Sequence, residues 1–236
     1  MSRLQDTYQR RVDILNRGYS GYTSRWAKMV LPYLEDTFEG AQLVTVWFGA
    51  NDAALPDRTS KVQHVPLEEY RMNVKEMVER LKCLADQVVL VTPPPVSEPH
   101  RLEHAKDTYG IDLVLGSERT NEVTKLYAMA CVDVGEMCGV PVVDMWSVCM
   151  EKEPERYGDV FLNDGLHLTA EGNALVYESV VSVLEKRLPG LKAESIPFDI
   201  PEYRDLIVHG DDGEDAGKVL KEFLSSKQHG ITKQTF

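Results

Sequence analysis

The chain has 236 residues, 43% of them hydrophobic, enough to bury the core of one α/β domain and too apolar for a disordered tail. Its net charge of −12 argues against a nucleic-acid backbone or an anionic membrane as the main partner. Cys83, Cys131, Cys138 and Cys149 form no C-x-x-C pair, so buried free thiols and a reducing compartment are expected. The opening residues Met1 to Asp6 are polar at once and no apolar run is long enough to span a bilayer, so a cytoplasmic protein without a signal peptide is expected.

In chain order, Leu4 to Arg11 reads as the last turns of a helix, and Val12–Leu15 as a short edge strand with a polar break. Asn16 to Gly21 is a glycine-bearing loop. Tyr22 to Leu34 reads as a helix with Trp26, Met29, Val30 and Tyr33 on one side. Leu43–Phe48 is almost unbroken apolar, the mark of a parallel strand buried on both faces. Tyr70, Val74, Met77, Leu81 and Leu84 recur at helical spacing. Val88–Val91 is a second buried strand, stopped by Pro93-Pro94-Pro95. Val123, Leu126, Tyr127, Ala130 and Val134 mark a long helix, and Val140–Asp144 a third buried strand. Thr169 caps a helix that runs through Leu188, with Val176, Val180, Val183 and Leu184 on its apolar face. Alternation of strand and helix predicts an α/β fold, a parallel sheet with helices on both sides. Residues 190–236 are rich in charge and glycine, including the run Asp211 to Asp215, and read as a peripheral extension with one short amphipathic helix around Val219–Leu224. The domain is therefore bounded at 1–189.

In open parallel sheets, ligands sit beyond the carboxyl ends of the strands. Gly21, Asn51 and His167 all lie in loops of the expected kind. Asp164 stands three residues before His167, close enough for its carboxylate to hold the imidazole, as in the base half of a nucleophilic hydrolase. By itself the spacing is weak evidence, since a helix-entry histidine has the same pattern. Asn51 follows the Leu43–Phe48 strand, where its amide can donate to a developing oxyanion; Asn-Asp after a strand is also ordinary turn chemistry. Gly18-Tyr19-Ser20-Gly21 is not a G-x-S-x-G nucleophile elbow, because its second glycine comes one residue early. His100 and His104 are spaced like metal ligands but have no third partner, so a solvated helix face is the better reading and no metal or other cofactor is expected. His64 is placed to line the cleft, and the three prolines to shape its wall.

The order and spacing of these elements together are far more specific. The stretches Asn16 to Lys28, Phe48 to Leu55, His64 to Tyr70 and Asp164 to Leu168 resemble the SGNH (GDSL-type) hydrolases, within them the branch similar to isoamyl acetate-hydrolysing esterases. The resemblance spans roughly residues 4–190. It implies a flavodoxin-like three-layer sandwich, and serine-type hydrolysis of small or short-chain carboxylic esters. By the same resemblance Gly21 offers its backbone N–H, and Asn51 its side chain, to the oxyanion hole, while His167 is the general base oriented by Asp164. The family's first block, a strand ending in Gly-Asp-Ser that carries the nucleophile, has no counterpart in these residues.

That strand would lie between Val12–Leu15 and Leu43–Phe48. Its absence leaves both edges open. A central strand buries three or four large apolar side chains at about 1.5–3 kcal/mol each, comparable with the whole margin of about 5–15 kcal/mol. The expectation is a sequence truncated at its N-terminus and, in its complete form, an ester hydrolase. The alternative is a non-catalytic pseudoenzyme or binding protein that keeps the cleft.

Overall fold

A computed structural model of the protein describes residues 2–110, 113–207 and 213–227. The helices, in chain order, are α1 (Ser2–Thr7), α2 (Ser24–Val30), α3 (Glu35–Phe38), α4 (Leu67–Leu81), α5 (Glu98–Tyr109), α6 (Asn121–Cys138), α7 (Met145–Lys152), α8 (Tyr157–Phe161), α9 (Ala170–Arg187), α10 (Tyr203–Ile207) and α11 (Gly213–Lys227). The strands β1 (Val44–Trp47), β2 (Val88–Val91) and β3 (Val142–Val143) form one parallel sheet in the order β1-β2-β3. Val44 pairs with Val88 and Leu90 with Val142.

Successive strand side chains point to opposite faces, and β2 shows the result. Val88 and Leu90 enter one core cluster, with Tyr70, Val74, Met77 and Val78 of α4 and Tyr127, Ala130 and Val134 of α6. Val89 and Val91 enter the other, with Met145 and Cys149 of α7 and Leu175, Val180 and Leu184 of α9. The protein is thus a three-layer α/β sandwich. The caps follow chemistry written in the sequence: the hydroxyls of Thr120 and Thr169 accept the N–H groups of Val123 and Gly172 at the starts of α6 and α9.

Three expectations are corrected. Val12–Leu15 is not one of the sheet's strands: only Asp13 forms a single isolated bridge, and the segment stays outside the β1-β2-β3 ladder. Leu43–Phe48 is not buried on both faces: the strand alternates, with Val44 and Val46 buried and Thr45 and Trp47 exposed. The apolar side of the Tyr22–Leu34 segment is Ala27 and Leu31 rather than Met29 and Tyr33, which are exposed. Pro32 turns the chain into a 3-10 helix over Leu31–Tyr33 and so shifts its face.

The first two corrections have one cause. A groove of about 470 Å³ runs along the free edge of β1. Residues Ile14 to Tyr19 form its far rim, Ala27 and Leu31 one wall, and Val180 and Leu184 of α9 the other. Both helical layers therefore line this groove.

The segment after Pro189 returns along the N-terminal residues. Ile196 is buried in the second cluster, Tyr8 Oη donates to the Leu191 carbonyl at 2.8 Å, and Asp199 N–H donates to the Arg10 carbonyl at 2.7 Å. The apolar residues Val219 to Leu224 lie on α11; Asp211 and Asp212 of the acidic run fall outside the described residues. Among the described residues, no helix is long and apolar enough to cross a membrane, and no cluster of potential metal ligands occurs.

Candidate active site

The segment between α8 and α9 is pinched shut by a bridge between Leu162 and Leu168 and by the Asn163 N–H donating to the His167 carbonyl at 2.7 Å. The tip turns at Gly165, whose φ of +82° is in the left-handed region. A Cβ there would also lie 2.5 Å from the Ser97 carbonyl oxygen, so glycine is required twice over. This turn aims three donors at Asp164. Leu166 N–H and His167 N–H reach its Oδ1 at 3.0 and 2.8 Å, and His167 Nδ1 lies 2.9 Å from Oδ2. Burial alone raises the Asp164 pKa, but the hydrogen bonds from the His167 backbone and ring and from Leu166 outweigh it and bring it down to about 2. The carboxylate is therefore ionised at neutral pH and fixes which His167 nitrogen faces it, while the His167 side chain is 74% exposed. Among the described residues Asp164 is the only hydrogen-bond partner of that ring.

Asn51 sits past the carboxyl end of β1. Its Nδ2 donates to the Tyr22 carbonyl at 2.9 Å and its Oδ1 accepts from Arg119 Nη2 at 3.2 Å. The chain reaches it through Gly49, at φ +122°, where a Cβ would meet Pro93 and the Tyr70 hydroxyl, both at 3.0 Å. Gly21, at φ +76°, is joined to the same region by Gln63 Nε2 donating to its carbonyl at 3.0 Å. Asp52 ties the two loops together. Fully buried, it accepts the Ser24 N–H at 2.9 Å and also the Ser24 hydroxyl, at the positive start of α2. Burial pushes its pKa up and the Ser24 bonds oppose the rise.

Other expectations divide. His64 turns its ring to the Ala54 carbonyl, 2.7 Å from Nδ1. Pro93, Pro94 and Pro95 are buried behind Gly49. His100 and His104 are half-buried on a largely exposed helix, and both have partners. His104 Nε2 lies 3.8 Å from Asp164 Oδ2. His100 stands between Ser97 Oγ, at 2.5 Å, and Asp159 Oδ1, at 3.1 Å. That is a serine–histidine–aspartate set by distance alone. Ser97, however, is 5% exposed, and Gly158 packs so closely that a Cβ there would come within 2.7 Å of the Ser97 hydroxyl. No carbonyl substrate can approach it. Cys83 is exposed, against the expectation of buried thiols, whereas Cys131 and Cys149 are buried and Cys138 is half-buried.

Comparison with known proteins agrees with this architecture. The model of the GDSL-like Lipase/Acylhydrolase family matches residues 1–175. The chain belongs to this family. A GDSL esterase/lipase of Arabidopsis thaliana is 40% identical over 94% of the chain and 89% of its own length. The isoamyl acetate-hydrolyzing esterase 1 homolog of Bos taurus is 39% identical over 86% of the chain and 79% of its own length. Among solved structures, a lipase/acylhydrolase from Enterococcus faecalis aligns over 71% of the chain and 72% of its own, with a TM-score of 0.53 and 22% identity. An acetyl-xylooligosaccharide esterase of Geobacillus aligns over 72% of the chain and 71% of its own, with a TM-score of 0.58 and 19% identity. At those identities the two structures speak for the fold alone.

Sequence reading passed over Arg101, Glu118 and Arg119. Arg101 lies on a helix with few buried residues, and Glu118-Arg119 in an irregular loop, so no periodicity marks them. Their signal is tertiary: Glu118 and Arg119 are 3% and 2% exposed, a burial that charged residues show almost only when paired.

Proposed function

We propose that the protein is a serine-type hydrolase of small or short-chain carboxylic esters. The observation that carries this is the ionised, buried Asp164 against one nitrogen of an exposed His167, in a chain of an esterase and lipase family. In the reaction a serine Oγ bonds to the acyl carbon as its proton passes to His167, and Asp164 holds the imidazolium. The carbonyl oxygen takes the negative charge, facing the Gly21 N–H and the second amide hydrogen of Asn51. His167 then protonates the departing alcohol. Water enters by the same route in reverse and releases the acid.

The serine rides on a strand seated in the groove beside β1. Supporting this, the groove opens next to Gly18, Tyr19 and Phe48, at the same end of the sheet as Gly21 and Asn51. The second reading, a binding protein that keeps the cleft without catalysis, is favoured by one observation: no hydroxyl among the described residues meets His167. The four cysteines, all free, support a reducing and so cytoplasmic setting.

Fluorophosphonate labelling of the protein purified from its source cells separates the readings. A label on a serine of the groove-filling strand supports the hydrolase; a native, folded protein that takes no label supports the binding protein. In unlabelled protein, His167→Ala should lower turnover of a short-chain nitrophenyl ester by about 10²–10⁴-fold. Turnover near that of the unmodified protein would remove His167 from the mechanism.

A further inference from the structure

Asn51 and Asp164 stand far apart in the chain. In the structure they are joined by an unbroken line of buried charge. Asp164 Oδ2 accepts from Arg101 Nη1 at 3.0 Å. Arg101 grips Glu118 Oε1 through Nη2 at 2.7 Å and Nε at 2.9 Å. The same oxygen accepts from Arg119 Nη1 at 2.9 Å. Arg119 Nη2 reaches Asn51 Oδ1, and its Nε donates to the Ala50 carbonyl at 2.8 Å. Arg119 Nη2 also holds Gln63 Oε1 at 2.6 Å, whose amide nitrogen is on the Gly21 carbonyl.

We propose that Arg101, Glu118 and Arg119 are positioning residues, a buried ionic bridge that sets the oxyanion-hole loops and the base-orienting aspartate in register. The inference rests on the roles proposed above for Asn51, Gly21 and Asp164. Its chemistry follows from donor type. A guanidinium only donates, so Arg119 must face the Asn51 oxygen, and the Asn51 NH₂ is thereby turned to Tyr22 and the open side. A flipped amide would offer an incoming oxyanion a lone pair. At the other end, Arg101 and His167 share one Asp164 oxygen, so the carboxylate cannot swing from the ring without breaking a second charged bond. Two arginines against Glu118 and Asp164 sum to zero, and buried charges persist only when so paired and hydrogen-bonded. Lysine cannot replace either fork without losing a partner, because it is a point charge with no planar pair of donors.

The test uses the full native protein with two charge-preserving variants, each read at the end it does not touch. Arg119→Lys should move the NMR signals of the His167 ring, and Arg101→Lys those of the Asn51 side-chain amide. In both, kcat on a short-chain ester should fall at least about tenfold while KM stays within about twofold, the signature of an interaction made in the transition state. Folded variants whose far-end signals and kcat match the unmodified protein would overturn the bridge. Should either variant fail to fold, the unmodified protein decides: the Arg101 and Arg119 Nε–H signals must exchange with water far more slowly than those of exposed arginines, and free exchange refutes the proposal. A protein with shifted far-end signals but no ester turnover would sink the hydrolase reading and leave the bridge standing.

Discussion

At the scale of single residues, Asp164 carries the clearest physical signature. Its pKa lies near 2 instead of 3.8, because the native fold hydrogen-bonds its charged form. A carboxylate depressed on folding contributes stability that is fully present above its unfolded pKa and is lost as pH falls through the folded one. The window therefore runs from about pH 4 down to about pH 2. Asp164→Asn should melt at a lower temperature than the unmodified protein at pH 6, and the gap should close as pH is lowered through that window. A gap that stays constant from pH 6 to pH 2 would mean that the ionised carboxylate does not hold the loop. Asp52 has the opposite sign. Burial raises its pKa, so its charge at neutral pH costs stability, a cost limited by the Ser24 bonds that also align the Gly21 and Asn51 loops.

At the scale of elements, β1 is the unusual one. Its inner edge pairs with β2 over four residues, and its outer edge faces the groove. In a parallel pair the backbone groups that do not reach one neighbour point toward the other side, so Thr45 and Trp47 present unmatched N–H and C=O groups to that space. An unpaired strand edge flanked by apolar walls recruits another strand. The 236-residue chain alone should therefore self-associate with rising concentration, and Thr45→Lys should shift it toward monomer by light scattering. Equal association in both would place the contact elsewhere. The same element explains a misreading. Periodicity marked Leu43–Phe48 as buried on both faces, because hydrophobicity records what a segment is built to pack against. In the structure Trp47 is 38% exposed, so this face of β1 lies open along the groove. Helices α4, α6 and α9 were legible because their apolar residues recur at the helical period and two of the three start at a threonine cap. Helices α5, α7 and α8 were not, since few of their residues are buried and their faces carry no comparable stripe.

At the scale of the whole molecule, two apolar clusters sandwich the sheet, and burial sorts the cysteines. Cys131 and Cys149 have pKa values pushed up to about 12, chiefly by burial, and Cys83 is exposed. A thiol reagent should therefore modify Cys83 rapidly in the native protein and Cys131 and Cys149 only after denaturant is added. Rapid native reaction at either buried site would show that its cluster opens. By itself the sequence determined the parallel strands with helices on both sides, the cap of α9, and the pairing of Asp164 with His167, because each rests on local spacing or on short-range hydrogen bonds. It also brought Gly21, Asn51 and His167 forward as candidates, since loops beyond strand ends are where such sheets bind ligands. Only the tertiary structure decided that Val12–Leu15 stays outside the three-stranded sheet, that Ser97 is closed off despite its histidine and aspartate neighbours, and that Arg101, Glu118 and Arg119 join the two halves of the site. Those facts depend on which distant segments come within about 3 Å of each other, and a buried charge declares its partner only where the chain has brought the two together.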